Sequence, residues 1–263
     1  MIWNFIIIIN EKSLPIDLNK YYEIPYHLLA ANYLKYTMAG LITSRGCAHA
    51  CNHCAVSVIS PGRRYITEDL VIKQLYDILP LLSGPGIIPQ LVFIDDDFFA
   101  DLARVERIMD LIQKEKIVFN WWAEARINTI LQMSDELIKK IIACGLKRIY
   151  LGAESGSDKV LKIMNKGITR QMIIEANKKL SKYPIWPEYT FVIKLPGEES
   201  SDLEQTISMA DTLKKDNPQA IIWKFNVYTP YPGTPLYNQA LRSGFPFPKT
   251  LADWADVNWY RQD

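Results

Sequence analysis

Cys47, Cys51 and Cys54 stand in a C-x3-C-x2-C spacing, so three of the chain's four cysteines fall within eight positions. As thiolates they could hold a soft metal ion or an iron-sulfur cluster, and a compact loop can turn all three toward one point. Three local ligands leave one coordination position open, and an open position is where chemistry can occur. The same residues also allow a closed structural zinc site completed by His49 or His53. A disulfide is the weaker expectation. The first residues have no secretory-signal layout, and closely spaced thiols in a reducing compartment bind metal more often than they pair.

The elements that must position these thiols follow from the apolar pattern. Short apolar runs at 40–43, 90–94, 118–122, 148–152, 188–193 and 221–227 alternate with amphipathic stretches at 67–79, 102–114, 134–143, 171–180, 202–215 and 236–242. Thr67-Glu68-Asp69 and Ser134-Asp135-Glu136 place an oxygen acceptor ahead of a helix's first free N–H groups. Six strand-helix units imply parallel strands joined by right-handed crossovers, an α/β fold of the partial (β/α)6 TIM-like barrel type. In such folds the working face lies at the C-terminal ends of the strands. The cysteine loop follows the first strand and falls on that face. Cys144, between a helix and the fourth strand, belongs at the opposite end and reads as a small buried residue.

At 263 residues and 49% hydrophobic content, the chain can bury one sizeable core. A net charge of +1 gives no sign of a broad nucleic-acid or anionic-membrane surface, while leaving room for a local basic patch. The apolar run 5–9 is too short to span a bilayer and reads as a buried strand, which makes the cytoplasm the expected compartment.

The other strand ends carry further polar residues. Asp95-Asp96-Asp97 could suggest a divalent cation, but adjacent residues at a strand end alternate in direction, so the three should not meet one ion. Helix capping is their plainer role. Arg126 could grip a carboxylate with its planar fork, or form an ordinary salt bridge with Glu124 or Glu154. Of Trp121 and Trp122 at most one should face the barrel interior, with core packing the safer reading for that one. Gly152-Ala153-Glu154-Ser155-Gly156-Ser157 joins permissive glycines to acceptors suited to hydroxyl groups. Pro196-Gly197-Glu198 and the proline-rich 228–237 form rigid turns after the last two strands.

Taken in order, these segments resemble the radical S-adenosylmethionine (SAM) superfamily, and in particular the radical domain of its cobalamin-dependent branch. The resemblance covers about residues 24 to 255. It implies a [4Fe-4S] cluster on Cys47, Cys51 and Cys54, with SAM chelating the fourth iron. It further implies that Asp95 and Asp96 contact the methionine amino group, that Arg126 meets the methionine carboxylate, and that Glu154 and Ser155 contact ribose and methionine. Pro196 and Gly197 match the family's Gly-x-Pro-Gly-Glu-Thr segment. Asp95-Asp96-Asp97-Phe98-Phe99 is similar to the branch's Asp-Asp-Asn-Phe-Phe segment, and two positions depart from the family's pattern: His53 replaces an aromatic residue and Lys194 replaces a glycine.

The resemblance divides the chain into a leading segment or linker (1–38), a radical SAM core (39–244) and a truncated C-terminal extension (245–263). Residues 24–29, with His27, are similar to the linker after a cobalamin-binding module; His27 itself reads as a packing or surface residue. The module has no room upstream, so the chain is expected to be a fragment, to act alone, or to borrow the module from a separate subunit. The implied activity is reductive cleavage of SAM to a 5'-deoxyadenosyl radical, in cobalamin-linked methyl transfer or oxidative cyclisation of a small-molecule substrate, with a one-electron reductant protein as partner. The alternative is a non-catalytic domain that keeps a structural zinc or iron-sulfur site.

Overall fold

Each of the six apolar runs forms a strand: β1 Met38–Leu41, β2 Gln90–Phe93, β3 Asn120–Ala125, β4 Leu146–Glu154, β5 Trp186–Ile193 and β6 Ile221–Val227. The computed structural model describes residues 16–20, 38–82, 88–244, 248 and 250–256. The run 5–9, the linker 24–29 with His27, and most of 245–263 lie outside them. The strands pair in chain order, every neighbour parallel. Parallel neighbours require a crossover. It is supplied by α1 Glu68–Leu82, α2 Leu102–Lys114, α3 Asp135–Ala143, α4 Arg170–Leu180 and α5 Ser200–Asp216, while α6 Pro235–Arg242 follows β6. The architecture is the expected α/β partial (β/α)6 barrel, with β1 and β6 at its two edges.

Side-chain alternation sorts the sheet's two faces. On β3, Trp121, Ala123 and Ala125 are buried, while Trp122 and Glu124 point the other way and are more exposed. Trp121 packs edge-on against Phe93 at 5.1 Å and donates from its indole nitrogen to the Cys144 carbonyl at 2.9 Å. Each such aromatic contributes roughly 1.5–3 kcal/mol when fully buried. Cys144 follows α3 ahead of β4, at the end of the sheet away from the cysteine loop, and burial pushes its thiol up to about 11. Both match the expected inert role.

Five of the six strands differ in extent from the apolar runs, and three of the differences have a local reason. β1 stops at Leu41 because the Thr43 and Ser44 N–H groups donate to Asp95 instead of continuing a ladder. Val118 is 72% exposed, so β3 starts two residues later. β4 runs on through an irregularity between Gly152 and Glu154, where Glu154 takes φ 63°. Short elements below the reach of periodicity are new: the antiparallel pair Ser44–Arg45 with Arg64–Tyr65, and the helices Val56–Ile59, Ile127–Gln132 and Asp158–Ile163. The Ser134 hydroxyl accepts from Leu137 N, capping α3 as its sequence predicts. Among the described residues no helix is long and apolar enough to cross a membrane.

Candidate functional site

The three aspartates after β2 diverge, as alternation requires, and two of them build the entry to the cysteine loop. Asp95 is buried and accepts from Thr43 N at 2.6 Å, Thr43 Oγ1 at 2.5 Å and Ser44 N at 3.0 Å. Burial still pushes its carboxyl above the usual range against those bonds. Asp96 accepts from Gly46 N at 2.8 Å. Gly46 holds φ 83°, and a Cβ there would lie 1.9 Å from the Gly62 carbonyl oxygen, so only glycine fits ahead of Cys47. Arg104, also buried, donates to the Thr43 and Ile66 carbonyls, each at 3.1 Å. The far side of the loop is tied to the end of the helix Asp158–Ile163: Asn52 N donates to Met164 O at 2.8 Å and Asn165 Nδ2 to Ala50 O at 2.8 Å.

So held, Cys47, Cys51 and Cys54 line one cavity of about 260 Å³ together with Asp96, Arg126 and Glu154. Arg126 forms neither of the salt bridges considered from sequence. Its guanidinium donates to Cys51 Sγ at 3.4 Å, to Asn128 Oδ1 at 3.3 Å and to the Lys166 carbonyl. Glu154 pairs instead with Lys166, Nζ to Oε1 at 2.5 Å, both side chains being about nine-tenths buried. Burial alone would raise the Glu154 carboxyl; Lys166, His53 and Arg126 together hold it below the usual range. Lys166 went unnoticed in the sequence, where Asn165-Lys166-Gly167 reads as an ordinary turn. Burial also pushes the Cys54 thiol up, so the fold alone does not make it a thiolate.

Other expected residues sit elsewhere. Asp95 points into the loop's base and does not line this cavity. Ser155 is buried with its hydroxyl 2.9 Å from Thr206 Oγ1. Pro196 lines a separate depression of about 210 Å³ with Lys194 and Tyr228. Gly197 takes φ 87° in that same turn. Lys194, which replaces the family's glycine, does not line the cysteine cavity. His53 lines both that cavity and a second one of about 430 Å³, formed with Val192, Lys224, Asn226 and Tyr228 at the end of β6. Burial, aided by Lys166 and Arg126 and opposed by Glu154, pulls His53 down to about 4, which leaves a neutral planar ring between the two spaces.

The profile of the radical SAM superfamily matches residues 41–210, which takes in the cysteine loop and strands β2 to β5. The chain belongs to the radical SAM superfamily. An uncharacterized methyltransferase of Pyrococcus horikoshii is 31% identical over 201 residues, covering 76% of this chain and 41% of that protein. Two solved structures share the radical SAM fold. The cobalamin-dependent SAM radical enzyme OxsB, with aqua-cobalamin and SAM bound, aligns with TM-score 0.59 and 22% identity over 78% of this chain and 30% of its own. The radical SAM methyltransferase TsrM from Kitasatospora setae, with cobalamin and a [4Fe-4S] cluster bound, aligns with TM-score 0.65 and 15% identity over 78% of this chain and 39% of its own. The chain therefore spans less than half the length of each of these proteins. Membership makes it an enzyme domain of the radical SAM type.

Proposed function

We propose that Cys47, Cys51 and Cys54 hold a [4Fe-4S] cluster and that SAM binds at the iron they leave free. The observation that carries this reading is the convergence of the three thiols with Arg126 and the Lys166–Glu154 pair in one cavity, beside a second cavity reached past His53. The donor set fits the group: three thiols, and a guanidinium 3.4 Å from one of them to offset the negative charge of a thiolate-bound cluster. When bound, cluster and SAM together supply a one-electron cleavage of the carbon-sulfur bond, giving methionine and a 5'-deoxyadenosyl radical.

The chain's own residues then have positioning roles. Arg126 and Lys166 provide positive charge for the methionine carboxylate, and Asp96 provides an acceptor for its ammonium group. Glu154, kept ionised by Lys166, offers acceptor lone pairs to a ribose hydroxyl. The larger cavity at the end of β6 has room for the nucleoside, with the neutral His53 ring as one wall. The buried floor of Phe93, Trp121 and Ala123 on the helix side keeps the strands rigid beneath these groups. We read the protein as cytoplasmic, acting on a small-molecule substrate with a reductant protein, and using cobalamin where the reaction needs it. Its relatives point to methyl transfer as the reaction class.

Anaerobic reconstitution tests this reading. The expected product is a brown protein with about four irons per chain that forms 5'-deoxyadenosine and methionine from SAM under reductant. Tightly held zinc with no cleavage would replace it with the non-catalytic alternative.

A further inference from the structure

Cys47, His49 and Asp97 form a second constellation at the loop, with Cys47 and His49 lining the same cavity as the other two thiols. Their ligand atoms all lie within 4.8 Å of one another, with no second thiol in the group. His49 Nε2 is 3.9 Å from Asp97 Oδ2. The Asp97 side chain is 99% buried, and neither of its carboxylate oxygens has a hydrogen-bond partner. Arg63 stands 3.7 Å away, near enough to lessen the cost of the charge but not to satisfy the lone pairs. A buried carboxylate left in this state carries a desolvation penalty that a bound cation would remove. Asparagine, which the related segment has at this position, could not supply the same charge.

We propose that Cys47, His49 and Asp97 bind one borderline divalent cation of the zinc class when the cluster is absent. Sulfur, imidazole nitrogen and carboxylate oxygen together suit zinc or cobalt, and three ligands of a tetrahedron leave the fourth position to water. His49 is about one-third exposed, which gives an ion a path from solvent. Cys47 cannot serve this ion and the three-thiolate cluster at once, so the two occupancies exclude each other. Zinc would then act as a competitor of cluster loading, entering through residues that the cluster does not use. The ion site stands on its own geometry; only the competition rests on the cluster reading above.

The test uses the full chain, freed of cluster and kept reduced, with Co2+ as the probe and Zn2+ as its competitor. A single equivalent of cobalt should bind with the charge-transfer absorption of one thiolate. The Cys51→Ser/Cys54→Ser double variant should retain that absorption. Asp97→Asn and His49→Ala should each weaken binding by more than about 10-fold. Asp97→Asn is nearly isosteric, and an unchanged far-ultraviolet dichroism spectrum would show that it folds. Absorption from two or three thiolates, loss of the signal in the double variant, or unchanged affinity in both single variants would overturn the site. Iron uptake after zinc loading reads the competition separately: it should be slow in the wild type and faster in Asp97→Asn, and equal rates would overturn it. A protein that takes up no iron at all would sink the cluster reading while leaving the cobalt result intact.

Discussion

Lys166 Nζ lies 2.5 Å from Glu154 Oε1, joining the end of β4 to the turn that follows the helix Asp158–Ile163. The pair does two things at once. It keeps Glu154 ionised in a buried place, and it fixes the Lys166 carbonyl that Arg126 uses to hold its guanidinium against Cys51. Gly152 leaves the space for it, since a Cβ there would lie 2.2 Å from Glu154 Oε1. Glu154 accepts φ 63° to reach this position, a conformation that a non-glycine residue holds only when its surroundings impose it.

Removing one partner of this pair should therefore cost more than removing both. Lys166→Met leaves a buried carboxylate uncompensated and should destabilise the cluster-free protein by about 3 kcal/mol. Lys166→Met combined with Glu154→Gln should recover a large part of that loss. Urea unfolding of the two variants and the wild type checks both statements; a double variant no more stable than Lys166→Met would refute the coupling.

Asp95 makes a contrasting prediction, because its partners are backbone donors of the loop itself. Asp95→Ala strands the N–H groups of Thr43 and Ser44 in a buried place, at roughly 1–3 kcal/mol for each donor left unpaired. The turn that delivers Cys47 should loosen with it. Lower thermal stability together with fewer irons per chain after reconstitution is the expected pair of results. A full iron content at reduced stability would restrict Asp95 to folding.

The partition between what could be read from the chain and what could not follows from range. Periodicity and local spacing are short-range signals. They place the cysteine trio, all six strands and the six helices that follow them, and they put Cys144 at the inert end of the sheet. The site's charge pairing is long-range. Lys166 reaches Glu154 across an intervening helix, and Asn165 meets Ala50 across most of the domain, so neither partner can be recognised from its own neighbours. Asp95 illustrates the same limit: its type and its place at a strand end suit ligand binding, yet the backbone of Thr43 and Ser44, about fifty residues earlier, claims it. Pro196 and Gly197 keep their turn, but Pro196 lines a different depression from the cysteines.

Arg126 should matter to the cofactor more than to the fold. It is only half-buried, and its bonds go to a thiol, a carbonyl and an amide on different segments. Arg126→Gln should lower SAM affinity by roughly 10- to 100-fold, the worth of a charge-assisted hydrogen bond, with a melting temperature close to that of the wild type. Equilibrium dialysis of the reconstituted protein measures the first quantity. An unchanged affinity would remove Arg126 from the carboxylate's surroundings.

Asp202 gives a pH dependence of known sign. The Ser157 hydroxyl at 2.7 Å, the Glu199 N–H at 3.0 Å and Lys159 at 3.1 Å hold its carboxyl below the ordinary 3.8, against the opposing effect of burial. A folded-state pKa below the unfolded one means that stability is present above the unfolded value and is lost as pH falls through the folded one. Asp202→Asn should therefore be less stable than the wild type near neutral pH, with the gap closing below about pH 4. Urea midpoints at the two pH values test it, and a gap that widened in acid would reverse the assignment.

Gly156 and Gly167 separate crowding from backbone strain beside the same site. A Cβ on Gly156 would lie 2.2 Å from the Gln205 carbonyl oxygen and 2.8 Å from Met209 Cβ, both on α5, so Gly156→Ala must push that helix off the end of β4. The displacement should break the Gly156 N–H bond to Thr206 Oγ1 and the Ser155–Thr206 contact, and with them the support beneath Glu154. A Cβ on Gly167 meets nothing within 4 Å, but φ 71° strains any side chain there. Gly156→Ala should accordingly cost about 2–3 kcal/mol and weaken SAM binding, whereas Gly167→Ala should cost about 1 kcal/mol and leave binding intact. Unfolding curves and SAM dialysis on the two variants provide the comparison. Equal losses would mean that α5 can yield without disturbing β4, and the turn after β4 would then not depend on that helix for its position.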